Sequence, residues 1–147
     1  MTIKKAATPA DAMAVAQLAA QLWSHPAPEE LAEDFALMLS DDNNAVFLCC
    51  VDEQPAGFAH VSLRHDYVEG TESSPVGFLE GVFVPEIFRC RGIASNLLCA
   101  CENWARAKGC TEFASDCELV NEDSIAFHGK LGFEEANRIV CFRKDLY

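Results

Sequence analysis

The sequence predicts an α/β domain in which helices and strands alternate along one continuous chain. Three observations carry the prediction. Stretches with apolar residues at helical spacing alternate with short apolar runs of strand length. Pro, Gly, Asp and Asn punctuate the boundaries between them. At 147 residues, half of them apolar, the chain can bury a sizeable core, and it shows no repeat, low-complexity tract or linker. The expectation is one domain over residues 1–147.

Residues 3–6 form a short first strand. Thr8-Pro9-Ala10-Asp11 opens a helix with a Thr cap, Pro at the first helical position and an acid in the first turn. Val15, Leu18 and Leu22 fall on one face of it. Pro26 and Pro28 break the chain. A second amphipathic helix then carries Leu31, Phe35, Met38 and Leu39 on one side, and Asp41-Asp42-Asn43-Asn44 ends it. Residues 45–51 are an apolar run of strand length, 52–55 a turn, and 56–63 the next strand. Residues 65–75 are polar, carry Gly70 and read as a loop. A long strand over 76–84 stops at Pro85. Residues 88–92 make a basic, glycine-containing loop. Ile93, Leu97, Cys101, Trp104 and Lys108 recur at helical spacing, with Gly109 at the C-terminal end. A strand over 111–116, a short helix over 124–131 closed by Gly132, and one or two strands within 133–143 complete the order.

Charge and cysteines bound the function. The chain has 23 Asp and Glu against 11 Lys and Arg, a net charge of −12. The apolar content excludes a disordered acidic tail. The missing basic excess argues against a nucleic-acid partner held through phosphates. No stretch reaches membrane-spanning length, so no membrane partner is expected. An acidic surface suits either solubility or a cationic partner. The eight cysteines contain no Cys-x-x-Cys pair and no zinc-like Cys/His spacing, so no metal is expected. Asp11, Gln17 and Gln21 interrupt any secretory h-region. The cysteines therefore read as reduced thiols of a cytoplasmic protein, serving as small core hydrophobes.

The chemistry concentrates in Leu79-Glu80-Gly81-Val82-Phe83-Val84-Pro85 followed by Arg89-Cys90-Arg91-Gly92-Ile93-Ala94. A strand, a basic loop and a helix N-terminus follow one another. First-turn N–H groups lack intrahelical partners and attract anions. Gly92 lets the backbone approach a phosphate, Ala94 keeps the next position small, and Arg89 and Arg91 add positive charge to an acidic chain. The alternative is an ordinary strand-to-helix turn with solvated arginines. Glu80, inside an apolar strand, must be paired, solvated in a cleft or functional.

Arg89-x-x-Gly92-x-Ala94 resembles the Arg/Gln-x-x-Gly-x-Gly/Ala motif of the GNAT N-acetyltransferase superfamily. The Val-x-Val-Pro strand end, Asn121 and Lys130-Leu131-Gly132-Phe133 also match it. A narrower resemblance is to the aminoglycoside 6′-N-acetyltransferases. It rests on Gln21-Leu22-Trp23 with His25-Pro26, Gly57-Phe58-Ala59 through Arg64-His65-Asp66-Tyr67-Val68, Ser73-Ser74-Pro75-Val76, Phe78-Leu79-Glu80-Gly81, Ala114-Ser115-Asp116 and Leu131-Gly132-Phe133-Glu134-Glu135.

The resemblance implies a mixed, mostly antiparallel central sheet flanked by helices, in the order β-α-α-β-β-β-α-β-α-β. It implies acetyl transfer from acetyl-CoA to the 6′-amine of an aminoglycoside, and a homodimer. Val82, Val84, Arg89, Cys90, Arg91, Gly92, Ile93, Ala94 and Asn121 would hold the coenzyme, with the backbone N–H near Val82 polarising the thioester carbonyl. Glu80 would hold the substrate ammonium and help remove its proton, or else form a structural ion pair. Asp116 would be a second amine-binding carboxylate, or a loop-initiating Asp. Trp23, His25 and Tyr67 would line the sugar site, Trp23 alternatively packing at its helix end. The family often has Tyr where this chain has His128, which is either the acid that protonates the leaving thiolate or a packed residue. No residue reads as a covalent nucleophile. Cys117, the one thiol near the expected cleft, has no adjacent histidine to activate it.

Overall fold

The computed structural model describes residues 1–23 and 27–147. In chain order the elements are β1 (Thr2–Lys5), α1 (Pro9–Trp23), α2 (Pro28–Leu39), β2 (Asn44–Val51), β3 (Gln54–Arg64), β4 (Val76–Phe83), α3 (Ile93–Ala107), β5 (Phe113–Ala114) and α4 (Glu122–Lys130), with a 3₁₀ turn at Glu86–Phe88. The five strands make one sheet in sequential order. The β1–β2, β2–β3 and β3–β4 pairs are antiparallel, and β5 is parallel to β4.

α1 begins where its capping residues dictate. Asp11 N–H donates to Thr8 Oγ1 at 3.1 Å, and Thr8 N–H donates back to Asp11 Oδ2 at 3.1 Å, a reciprocal cap with Asp in the position more often held by Glu. Ala7 N–H adds a bond of 2.9 Å and Lys4 Nζ lies 2.6 Å from Oδ1. Burial alone would push the Asp11 carboxyl up. Lys4 and the Ala7 and Thr8 donors outweigh it and hold the group well below the usual carboxylate range.

Period-two alternation along β2 and β3 divides the core between the sheet faces. On one face Val46, Leu48 and Phe58 pack against Val15, Leu18 and Phe35 of α1 and α2. The Phe35 and Phe58 rings meet edge-on at 6.1 Å. On the other, Ala45, Ala59, Val61 and Leu79 pack against Ile93, Leu97 and Cys101 of α3. Leu22, expected on the buried face of α1, is 41% exposed. α3 lies close on the sheet, since a Cβ added to Gly77 would sit 2.7 Å from the Ala105 Cβ.

Five expectations are corrected. β5 has two residues rather than the six of 111–116, and β4 ends at Phe83 rather than Val84. α4 starts at Glu122, two residues early, because the Asn121 side chain accepts from Ser124 N–H and caps it. Residues 133–147 form no strand, so the final β of the expected order is missing. A strand needs an edge to pair with, and β5 offers two residues. Finally, Cys49, Cys101 and Cys110 are buried core residues, but Cys90, Cys99, Cys117 and Cys141 are exposed. Burial pushes the Cys101 thiol up to about 12, which leaves it a packing group.

Candidate active site

Two irregularities of β4 create the site. Opposite β3 the register passes from Val61↔Leu79 to His60↔Gly81, leaving Glu80 as the extra residue of a β-bulge. On its other side β4 pairs with β5 only at Gly77↔Phe113 and Phe78↔Ala114. Beyond Phe78 and Ala114 the two chains part. Glu80 and Asp116 each lie two positions past that last pair, one on each arm of the fork. A bulge beside a fork re-aims the Glu80 carboxylate and frees backbone groups that the ladder would otherwise consume.

Glu80 is held firmly. Its Oε1 accepts from Ser62 Oγ at 2.6 Å, Arg64 Nη2 at 2.9 Å and Arg64 Nε at 3.1 Å, while among the described residues Oε2 accepts only from Arg64 Nη2 at 3.0 Å. The Arg64 guanidinium lies 3.5 Å from the Phe78 ring centroid, which fixes its plane. The Glu80 side chain stays 27% exposed, so Oε2 retains room for a second cationic partner. His60, two residues before Ser62, bonds through Nε2 to Asn44 Oδ1 at 2.8 Å. Burial pushes its imidazole below the ordinary value, and the Glu80 charge opposes that shift.

On the β5 arm, Ser115 Oγ donates to the Leu79 carbonyl at 3.2 Å and lies 2.8 Å from His128 Nε2. His128 Nδ1 lies 2.7 Å from the Ser124 carbonyl. The imidazole sits edge-on to Phe127 and Phe133, at 5.7 and 5.1 Å. Phe133 is tied in place by its N–H, which donates to the His128 carbonyl at 3.1 Å.

The loop ahead of α3 leaves backbone donors open beside two arginines. Cys90 and Gly92 both have left-handed backbone, with φ of 64° and 77°. Among the described residues no side chain caps the helix at Gly92, which leaves its first-turn N–H groups open. A Cβ at Gly92 would meet nothing closer than the Asn96 amide at 3.8 Å, so glycine is needed there for its φ, with open space above it. Ile93 roots the turn in the core at 2% exposure, and Ala94 is half-buried. Arg89 Nε donates to the Val84 carbonyl at 2.9 Å, and Arg91 lies over the Phe88 ring. Val82 and Val84 pack partly against the α3 core.

The remaining predicted residues are more peripheral. Trp23 is 50% exposed at the end of α1 and Tyr67 is 75% exposed in the loop after β3, so neither is a core residue. Asp116 and Cys117 are exposed past β5, and Asn121 is committed through Oδ1 to capping α4. His25 lies outside the described residues. Among the described residues no group of three or more His, Cys, Asp or Glu is placed to hold a metal ion. The loop bearing Tyr67 is pinned to β5 by Glu112, whose Oε1 accepts from Glu72 and Ser73 N–H at 2.9 and 2.8 Å.

Sequence reasoning gave Ser62, Arg64, His60 and Ser115 no role. A signal existed for three of them. Phe58, His60, Ser62 and Arg64 occupy alternate positions of β3, so one face turns from apolar to polar along a single strand. Ser115 had no such pattern, because its partners come from β4 and α4.

The acetyltransferase (GNAT) family pattern matches residues 12–133, and the chain belongs to that family. Within it, the chain is 48% identical over 146 residues to the aminoglycoside N(6′)-acetyltransferase type 1 of Stenotrophomonas maltophilia, covering 99% of this chain and 94% of that one. It is 47% identical over 125 residues to the protein of the same name from Salmonella typhimurium, covering 84% and 86%. The fold superposes with a TM-score of 0.92 on AAC(6′)-Iy in complex with the bisubstrate analog CoA-S-monomethyl-acetylneamine, at 40% identity and with 98% of this chain and 97% of that one covered.

Proposed function

We propose that the protein transfers the acetyl group of acetyl-CoA to the 6′-amine of an aminoglycoside by direct attack in a ternary complex. One observation carries the reading: the β4/β5 fork places a carboxylate on each arm, with an open helix N-terminus beyond it. The coenzyme diphosphate sits on the 89–94 turn, where open N–H groups and two arginines face an anion. Its pantetheine arm takes the β4 edge around Val82 and Val84, alongside Asn121. The Val82 N–H polarises the thioester carbonyl.

The aminoglycoside is a polycation, and the acid excess that gives the chain a charge of −12 attracts it. Glu80 receives the ammonium on Oε2, the oxygen with a single partner among the described residues, and helps take its proton directly or through water. Asp116 holds a second amine from the opposite arm. Trp23 and Tyr67 line the sugar site. The neutral amine attacks the carbonyl, the C–S bond breaks, and His128 is the source of the proton that the thiolate gains. Acetylation removes one positive charge and one donor from the drug, which weakens its hold on an anionic RNA target and gives resistance.

Residues 1–147 act as one domain in a cytoplasmic homodimer. Ile139, Val140 and Phe142 are 59%, 75% and 92% exposed, and this apolar C-terminal stretch fits cover by a second copy. Sedimentation should give twice the chain mass.

The test of function is thiol release over aminoglycosides with and without a free 6′-amine, compared with spermidine and short peptides. Turnover confined to drugs bearing that amine is expected. Preference for spermidine or peptides would make the protein an acetyltransferase of another amine. Acetyl-CoA binding without thiol release from any acceptor would make it a non-catalytic module.

A further inference from the structure

The His128 ring has one nitrogen whose state is set by geometry. Nδ1 faces the Ser124 carbonyl at 2.7 Å, and a carbonyl only accepts, so Nδ1 carries a hydrogen. A longer contact of 3.4 Å to Ser124 Oγ adds an acceptor on the same side. Only Nε2 is left free to gain or lose a proton, and its neighbour is Ser115 Oγ at 2.8 Å. The Ser115 hydroxyl has a second partner, the Leu79 carbonyl at 3.2 Å. It owns one hydrogen, which can point to only one of them.

Two arrangements follow. With Nε2 bare, the Ser115 hydrogen points to the ring and the Leu79 carbonyl loses it. With Nε2 protonated, the ring donates to Oγ and the Ser115 hydrogen turns to Leu79, so every contact is made. Ser115 is the first residue of the chain after β5 leaves β4, and its other partner is the first β4 residue beyond the last ladder pair. The hydroxyl therefore stands in the crotch of the fork. The Phe127 and Phe133 rings flank the imidazole on its own side.

We propose that Ser115 is the group that hands the proton to the leaving thiolate, and that His128 acts through it as a positioning and proton-supplying residue. This rests on the acetyl-transfer reading, which seats the thioester in the fork. As the tetrahedral intermediate collapses, the C–S bond breaks and its electron pair goes to sulfur. The Ser115 Oγ–H proton moves to sulfur, and the His128 Nε2–H proton moves to Oγ. CoA leaves as the thiol, and His128 is left neutral with its hydrogen on Nδ1. Water restores the Nε2 proton, and the amine's surplus proton leaves to solvent. The Ser115 hydrogen swings from Leu79 towards the sulfur, so the serine needs no movement of the backbone.

The test is single-turnover acetylation of kanamycin by wild type, Ser115→Ala, Ser115→Thr, His128→Gln and the double variant Ser115→Ala/His128→Gln. Thermal unfolding checks that each variant is folded. Ser115→Ala should slow the transfer step about 100-fold, in the range general acid catalysis supplies, and change the KM values less than about twofold. Ser115→Thr keeps the hydroxyl and should recover most of the rate. His128→Gln should lose a similar factor, and the double variant should be no slower than the slower single, because the two act as one unit. Wild-type transfer by folded Ser115→Ala, or losses that multiply in the double variant, would overturn the relay and leave the acetyl-transfer reading standing. Failure of the wild type to acetylate kanamycin would sink both.

Discussion

At Gly77 and Phe78, β4 has β3 on one side and β5 on the other, and the side chains of this stretch are buried, with Val76 at 0% and Phe78 at 3% exposure. From Leu79 to Phe83 the same strand keeps only β3, bulges at Glu80 and ends among half-buried residues. The first half spends its backbone bonds on stability. The second leaves one edge open and aims a carboxylate from it. The difference shows how one strand serves two ends: full pairing fixes the frame, and loss of pairing within the same frame makes room for chemistry.

The largest expected effect falls on the open half. Glu80→Ala should lower kcat/KM for a 6′-amine substrate about 100-fold, close to 3 kcal/mol of transition-state binding, because it removes the ammonium partner and leaves Arg64 without its carboxylate. Steady-state kinetics check it, and unchanged kcat/KM would remove Glu80 from the site. The paired half should respond the other way. Gly77→Ala forces a Cβ to 2.7 Å from that of Ala105 and should cost about 2 kcal/mol in urea unfolding, with KM values unchanged in the folded fraction. Pairing it with Ala105→Gly should restore part of the loss.

Ser62→Ala sharpens the comparison at the boundary. It removes the 2.6 Å bond to Glu80 from a residue that is 8% exposed, and should lower kcat/KM about tenfold, near 1.4 kcal/mol. The smallest effect serves as a control far from β4. The Asp11 carboxyl titrates lower in the folded chain than in the unfolded one, so it adds stability above about pH 4 and loses it as pH falls through its folded value. Asp11→Asn should therefore cost about 1 kcal/mol at neutral pH, flatten the acid limb of the stability curve, and leave acetyl transfer alone. An acid limb identical to wild type would show that the reciprocal cap contributes nothing.

Much of this was legible from residue patterns. Thr8-Pro9-Ala10-Asp11 announces α1, Gly92 marks the turn before α3, and the apolar runs fix β2, β3 and the sealed half of β4. These signals are local: a cap, a left-handed glycine and a period of two each act within a few residues. The expected strands within 133–143 failed for the opposite reason. Their apolar residues are present, but a strand is defined by its partner, and β5 presents two residues. Half of the cysteines also lie on the surface, because residue type alone says nothing about which face meets solvent.

The sequence by itself determined the order of helices and strands from β1 to α4, the glycine turn ahead of α3 and the acidic residue within an apolar strand. Each is written in the spacing of neighbouring residues. Only the tertiary structure decided that Glu80 is the bulged residue, that Ser62 and Arg64 hold one of its oxygens more tightly than the other, and that Ser115 joins His128 to the fork. Those contacts join residues 13 to 36 positions apart. They exist because strand register and a parting of two strands bring the atoms within hydrogen-bond reach, and register belongs to the sheet rather than to any one segment.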